Sequence, residues 1–142
     1  MVAVPATSLL TATAALNVQS LTNVAVYYGQ GANQQRLSHF CQETSLDIIN
    51  LAFINVFPDQ GPGGYPGSNF ENQCDGSTYV INGVKTDLLS GCSQIAEDIP
   101  ICQAAGKKVL LSLGGASPKT SRSSAMSLLN RLLTSSGAHS VR

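Results

Sequence analysis

The side chains able to do covalent or proton-transfer chemistry in this sequence are eight carboxylates, two histidines and four cysteines. Paired carboxylates can serve as general acid and base, histidine can shuttle protons, and cysteine can act as nucleophile, metal ligand or disulfide. The carboxylates do not form an obvious pair. Glu43, Asp47, Glu97 and Asp98 fall on or beside predicted helices and read as solvated surface charges, whereas Asp59, Glu71 and Asp75 fall in a loop and read as solvent-facing, with a place on the lip of a cleft as the alternative. Asp98 is the last acid, and six basic residues follow it between Ile99 and Arg142. His39 and His139 have no partner pattern and read as surface residues. Cys41, Cys74, Cys92 and Cys102 are an even set without a CxxC pair, so disulfides are favoured over a zinc site or a redox pair. Three connectivities are open to four cysteines, and spacing does not choose among them. Four buried free thiols are the alternative in a reducing compartment. No metal and no cofactor is expected.

These residues must be positioned by a scaffold, and the hydrophobic pattern indicates which. Val24–Tyr28 is a β-branched and aromatic run ended by Gly29, which predicts a buried strand. Asn33 is placed to cap a helix whose apolar face is Leu37, Phe40 and Cys41. Ile48–Phe57 is nearly continuous in apolar residues, as in a strand covered on both faces, and Pro58 stops it. Asp59 to Asn82 is dense in Gly, Pro, Asn and Ser and predicts a long ordered loop or functional lip. A second helix is expected to start near Thr86 or Asp87 and end before Gly106, kinked at Pro100; a third buried strand, Val109–Leu113, then runs into Gly114-Gly115. Strand and helix alternate with crossovers long enough for parallel pairing, so the fold class is α/β. In such sheets the carboxyl ends of the strands carry the binding loops, which gathers Gly29-Gln30, Asn55–Phe57 and Gly114-Gly115 on one face.

Both ends differ from this middle. Val2 to Ala15 mixes Val, Ala, Leu and Thr; Leu9-Leu10 and Thr13-Ala14-Ala15 resemble the apolar region and cleavage site of a secretory signal, although its positive leader is missing and the first charge is Arg36. A flexible Thr-rich arm is the alternative, and the stretch is too short and polar for a membrane span. Lys119 to Arg142 is Ser-rich and basic with one amphipathic patch, Met126, Leu129, Leu132 and Leu133. The chain has 43% hydrophobic residues, enough for a core, with 11% charged residues and a formal net charge of zero. That balance argues against a nucleic-acid partner and a polybasic membrane surface. It suits a neutral ligand rich in hydroxyl and amide groups, which favours carbohydrate.

Three motifs sharpen that reading: Tyr27-Tyr28-Gly29-Gln30, Leu51-Ala52-Phe53-Ile54-Asn55 and Leu111-Ser112-Leu113-Gly114-Gly115. In this order and spacing, over about residues 22 to 118, the chain resembles the family 18 glycoside hydrolases, specifically the fungal and plant-type class III chitinases, whose S-x-G-G signature would be Ser112–Gly115. The resemblance implies a (β/α)8 TIM barrel, a fold of about 250 residues, of which this chain supplies about the first three β/α units with parallel strands. It divides the chain into a signal peptide or arm at 1–20, the beginning of the barrel at 21–118, and a divergent tail at 119–142. It implies retaining, substrate-assisted hydrolysis of β-1,4-linked N-acetylglucosamine polymers, endochitinase type, by the full-length form. The family's catalytic signature, D-G-x-D-x-D-x-E at the fourth strand, occurs nowhere in these residues. Breaking a glycosidic bond requires a neutral carboxylic acid beside the leaving oxygen. This chain is accordingly expected to be a truncated, inactive fragment, with a non-catalytic chitin-binding or inhibitory protein as the alternative. An incomplete barrel with open edges that does not fold stably is a third reading.

The resemblance also assigns roles. Tyr27, Gln30, Asn55, Gly114 and Gly115 would form part of the sugar cradle: an aromatic to stack on a pyranose face, amides for the acetamido and hydroxyl groups, glycines for close approach of backbone. The plainer alternatives are a barrel-core role for Tyr27 and loop capping for Gln30 and Asn55, while Ser112 reads as a satisfied core residue. By the same resemblance Cys41 pairs with Cys102 and Cys74 with Cys92. A secreted monomer, extracellular or in a cell wall and acting on chitin or chito-oligosaccharide, is the expected setting.

Overall fold

The structure is a computed structural model and describes residues 17 and 19–115, with residues 126 and 130. The predicted N-terminal signal, the Ser-rich tail with Leu129, Leu132 and Leu133, and His139 lie outside the described residues. Within residues 19–115 the described elements are six strands and two helices, in the order β1 (Ala25–Tyr28), α1 (Leu37–Cys41), β2 (Ile48–Val56), β3 (Gly67–Ser68), β4 (Thr78–Ile81), β5 (Val84–Leu89), α2 (Ser93–Ala104) and β6 (Lys108–Leu113). Short 3-10 turns at Pro62–Gly64 and Glu71–Gln73 flank β3.

The central sheet is parallel, as the strand–helix alternation requires. β2 lies between β1 and β6, with Ala25 opposite Ile48, and Ile48 opposite Lys108. β3 adds antiparallel to the end of β2. β4 and β5 form a separate hairpin. This is the beginning of a (β/α) barrel, three parallel strands with helices against one face.

Side chains alternate across a strand, so the register sorts the sheet into two faces. Val26, Ile49 and Val109 share a row facing the helices. With Tyr28, Leu51, Leu37, Cys41, Phe70, Ile95 and Cys102 they form the main core. The opposite row is Tyr27, Asn50 and Leu110. Tyr27 is 62% exposed and Leu110 51% exposed. The expectation of three fully buried strands therefore fails for β1 and β6: no layer of described residues covers this side, and Leu111, in the helix-facing row opposite Leu51, is also 45% exposed. A second, smaller cluster of Ile54 and Phe57 packs with Leu88 and Leu113 at the carboxyl end of the sheet.

Four further sequence expectations are corrected. Asn33 does not cap α1: it sits in a turn with φ 56°, and the helix starts four residues later at Leu37. The acceptor for that helix start comes from another element, the Asp98 carboxylate of α2, which receives the Ser38 N–H at 2.9 Å. Asp98 is thus no surface charge; it is 1% exposed. The predicted helix start at Thr86 or Asp87 is strand β5, and α2 begins at Ser93. Asn82-Gly83 is a two-residue hairpin turn, and the Thr86 hydroxyl donates to the Tyr79 carbonyl across it at 2.8 Å. The loop expected from Asp59 to Asn82 accordingly contains β3, two 3-10 turns and β4. Pro100 does lie within the helix, as expected.

Both disulfides have the pairing the resemblance implied. Cys41–Cys102 ties α1 to α2, and Cys74–Cys92 closes the segment that holds the hairpin.

Candidate functional site

The three strand-end motifs converge. Tyr27 is the third residue of β1, and its ring packs on Phe53 of β2 at a centroid distance of 5.6 Å. Gly115, just past β6, also lies against Phe53: a Cβ built there would be 3.7 Å from the Phe53 ring. Tyr27, Phe53 and Gly115 thus make a continuous line across the three strand ends. Phe53 was legible only as a letter of the second motif, and sequence reasoning assigned it no role. The Ala52–Phe53 peptide bond is cis.

Gln30 is the polar anchor beside this line. Its Nε2 donates to the carbonyls of Gly29 and Ala52, both at 2.9 Å, and of Asn69 at 3.1 Å. Its amide nitrogen is thereby consumed in holding β1, β2 and the following loop together, the plainer role anticipated for it. Its Oε1 has no hydrogen bond among the described residues, and the residue is exposed, so this oxygen is open to a ligand donor. Asn69 was not anticipated. Its backbone pairs with Phe53 in both directions, at 2.7 and 2.9 Å, and its side chain engages Glu71. It lies in an irregular segment, and periodicity carries no signal there.

Asn55 lies near the end of β2, half-buried, and its amide makes no hydrogen bond among the described residues. Gly114 donates its N–H to the Ile54 carbonyl at 2.9 Å and has φ 109°, with no described residue within 4 Å of where a side chain would be. Ser112 is half-buried. Gly29 is required by geometry: φ is 105°, and a Cβ would stand 2.8 Å from the Ala52 carbonyl.

Behind this surface a polar network fixes the β1 exit. The Gly29 N–H donates to Gln34 Oε1 at 2.8 Å, Gln73 Nε2 donates to the Gln34 carbonyl at 2.9 Å, and the Tyr28 hydroxyl donates to Gln73 Oε1. Burial, and then the charge of Asp98, push the Tyr28 pKa up to about 12, so the phenol is a fixed neutral donor.

No carboxylate belongs to the converging set. Burial alone would raise the pKa of Asp98, but bonds from Arg36 Nε, at 2.9 and 3.0 Å, and from the Ser38 N–H outweigh it and hold the group ionised. It joins α1 to α2 on the helix side of the sheet. Glu71, exposed, reaches only Asn69. Bonds from Ser77 lower the pKa of Asp75, and Asp59 lies exposed in the loop. Among the described residues no group of His, Cys, Asp and Glu is arranged to hold a metal ion. An apolar hollow of about 250 Å³ between β1 and α1 includes Val26, Tyr28, Phe40 and Ile49, and its apolar walls offer little to orient a polar ligand.

The site can therefore stack a ring, accept hydrogen bonds through Gln30, and let a ligand approach the backbone at Gly114-Gly115. It can bind and orient; proton transfer requires residues beyond this set.

No family model matches the chain. Over 104 residues, 73% of the chain, it is 79% identical to endochitinase A of Aspergillus niger. Over 109 residues it is 62% identical to endochitinase 2 of Coccidioides posadasii. The chain spans 8% and 13% of the lengths of these two relatives. Among solved structures, a chitinase from Ipomoea carnea superposes with a TM-score of 0.58 at 30% identity, covering 78% of this chain and 37% of that one. A xylanase and alpha-amylase inhibitor protein from Scadoxus multiflorus superposes with a TM-score of 0.52 at 26% identity, covering 80% of this chain and 36% of the inhibitor.

Proposed function

The chain is a relative of the fungal endochitinases with the fold of the family 18 glycoside hydrolases, and on that premise we propose that it supplies the first substrate-facing sector of a chitin-hydrolysing barrel. The observation that carries this reading is the convergence of Tyr27, Phe53, Gln30 and Gly114-Gly115 at the carboxyl ends of three parallel strands, the face where such barrels bind ligand. The stacked rings meet the apolar face of an N-acetylglucosamine unit, Gln30 Oε1 and Asn55 meet its acetamido and hydroxyl groups, and the glycines admit the sugar to the backbone.

In the full-length enzyme the reaction is retaining hydrolysis of the β-1,4 bond. The substrate's acetamido oxygen, its amide polarised by a neighbouring aspartate, attacks the anomeric carbon, and an enzyme acid protonates the departing oxygen. The carboxylates for both tasks belong to a fourth-strand segment absent from these 142 residues. The chain by itself is a binding sector without turnover. It comprises a signal or arm at 1–20, the barrel sector at 21–118 and a tail at 119–142. It acts as a secreted monomer, extracellular or at the cell wall, on chitin or chito-oligosaccharide. Two disulfides support the oxidising compartment. No helix among the described residues is long and apolar enough to cross a membrane.

The test is incubation of the purified chain with a fluorogenic chito-oligosaccharide. No turnover is expected, and robust turnover would overturn the assignment of the acid to the missing strand. The second reading, a non-catalytic binding or inhibitory protein, is favoured by the likeness to the Scadoxus inhibitor protein. Cosedimentation of folded, monomeric chain with chitin, or inhibition of a xylanase or amylase, would select it.

A further inference from the structure

The turn joining β4 to β5 is Asn82-Gly83, the one Asn-Gly step in the sequence. Both residues are exposed and both are left-handed, with φ of 50° and 78°, as a two-residue turn of this type demands. Among the described residues nothing beyond the chain neighbours lies within 4 Å of where a Gly83 side chain would stand, so the turn is uncovered there. The Asn82 side chain is engaged elsewhere: its Nδ2 donates to the Tyr65 hydroxyl at 3.0 Å.

We propose that Asn82 is a site of spontaneous deamidation whose rate is set by the folded hairpin. The Gly83 backbone nitrogen, giving its proton to hydroxide, attacks the Asn82 side-chain carbonyl carbon. A nitrogen–carbon bond forms, the carbon–Nδ2 bond breaks, and the amide nitrogen leaves as ammonia. Water then opens the resulting succinimide at either carbonyl, giving aspartate or isoaspartate. Glycine allows this because it has no Cβ to obstruct the ring. The hairpin restrains it, because the Asn82 amide must release Tyr65 and the turn must open before the nitrogen reaches the carbon.

The two products differ in consequence. Aspartate adds one negative charge and turns the Tyr65 hydroxyl from acceptor to donor. Isoaspartate adds a backbone atom to a two-residue turn, which is incompatible with the pairing of Ile81 and Val84. Val84 packs against Gly63, where a built Cβ would be 2.9 Å from its side chain, so the Gly61–Tyr65 segment loses its support.

The experiment incubates the full oxidised chain in mildly alkaline buffer and follows the peptide containing Asn82 by mass spectrometry and enzymatic isoaspartate methylation. Conversion to both products is expected, with Asn82→Gln abolishing it. Tyr65→Phe should accelerate it by about fivefold, the factor carried by one net hydrogen bond. Reduction and denaturation should accelerate it further. No conversion at Asn82, a signal that survives Asn82→Gln, or equal rates in the oxidised and denatured chains would each overturn the proposal. Equal rates in oxidised wild type and Tyr65→Phe would remove the restraining role assigned to the hairpin.

Discussion

Replacing Asp98 by asparagine should uncouple the two helices, and the size of the effect follows from its contacts. The carboxylate is 1% exposed and accepts from Arg36 Nε through both oxygens, from Arg36 Nη2 at 2.8 Å, and from the Ser38 N–H. Asparagine keeps the shape but offers one oxygen, and it places an NH2 group against donors. Breaking a buried pair costs about 3–5 kcal/mol, but the Arg36 side chain is 44% exposed and regains water, so the expected loss is about 2 kcal/mol. The pH dependence has a definite sign. Because the folded pKa lies below the unfolded value of about 3.9, the contribution is complete above that value. It is lost as pH falls through the lower, folded pKa. The assay is urea unfolding of the oxidised chain, followed by circular dichroism at neutral pH and at a series of acidic pH values. Wild type should lose stability on acidification more steeply than Asp98→Asn, and the two curves should approach each other at the acid end. If Asp98→Asn matched wild type at neutral pH and kept the same acid slope, Asp98 would be no more than the surface charge its sequence position suggests.

Other changes discriminate among the remaining contacts. The Cys41–Cys102 bridge spans 61 residues and Cys74–Cys92 spans 18, so loop-closure entropy predicts losses of ~4 and ~3 kcal/mol when each pair is replaced by alanine, read as shifts in the urea midpoint. Gly29→Ala must place a methyl 2.8 Å from the Ala52 carbonyl at φ 105°; a loss of about 2 kcal/mol or more is expected from the same titration. Tyr27→Ala should weaken chito-oligosaccharide binding to the folded chain by roughly fivefold while leaving the urea midpoint nearly unchanged, because an exposed ring adds stacking to a ligand and little to the core. Isothermal titration with a soluble oligomer checks it, and an unchanged affinity would remove Tyr27 from the site.

The parallel order of β1, β2 and β6 and their convergent ends were legible because the signals are local: continuous apolar runs, punctuating glycines, and crossovers too long for hairpins. The β4–β5 hairpin carried a local signal too, Asn82-Gly83, but Thr86 and Asp87, which follow it, also suit a helix start. Period 2 prevails there because Val84, Thr86 and Leu88 have partners on β4 and on the small cluster around Phe57. The start of α1 was not readable at all. Its capping acceptor is Asp98, 60 residues further along the chain. Phe53 and Asn69 were missed for a related reason: each matters through what lies across from it, Tyr27 and Gly115 in one case, Gln30 in the other.

The row Tyr27, Asn50 and Leu110 shows why burial was overestimated on one face of the sheet. Hydrophobic patterning records the environment a sequence is adapted to, and Leu110 in a continuous apolar run is adapted to a covered one. Here that environment is the interior of a barrel, where inward side chains of alternate strands stack in layers. Three strands provide only part of each layer, so Leu110 is left 51% exposed and Tyr27 62% exposed, although both are correctly placed. The same geometry bears on the proposed binding sector. A barrel assembles its active site from the ends of many strands, and the ends of β1, β2 and β6 carry an aromatic line, amides and glycines but no acid.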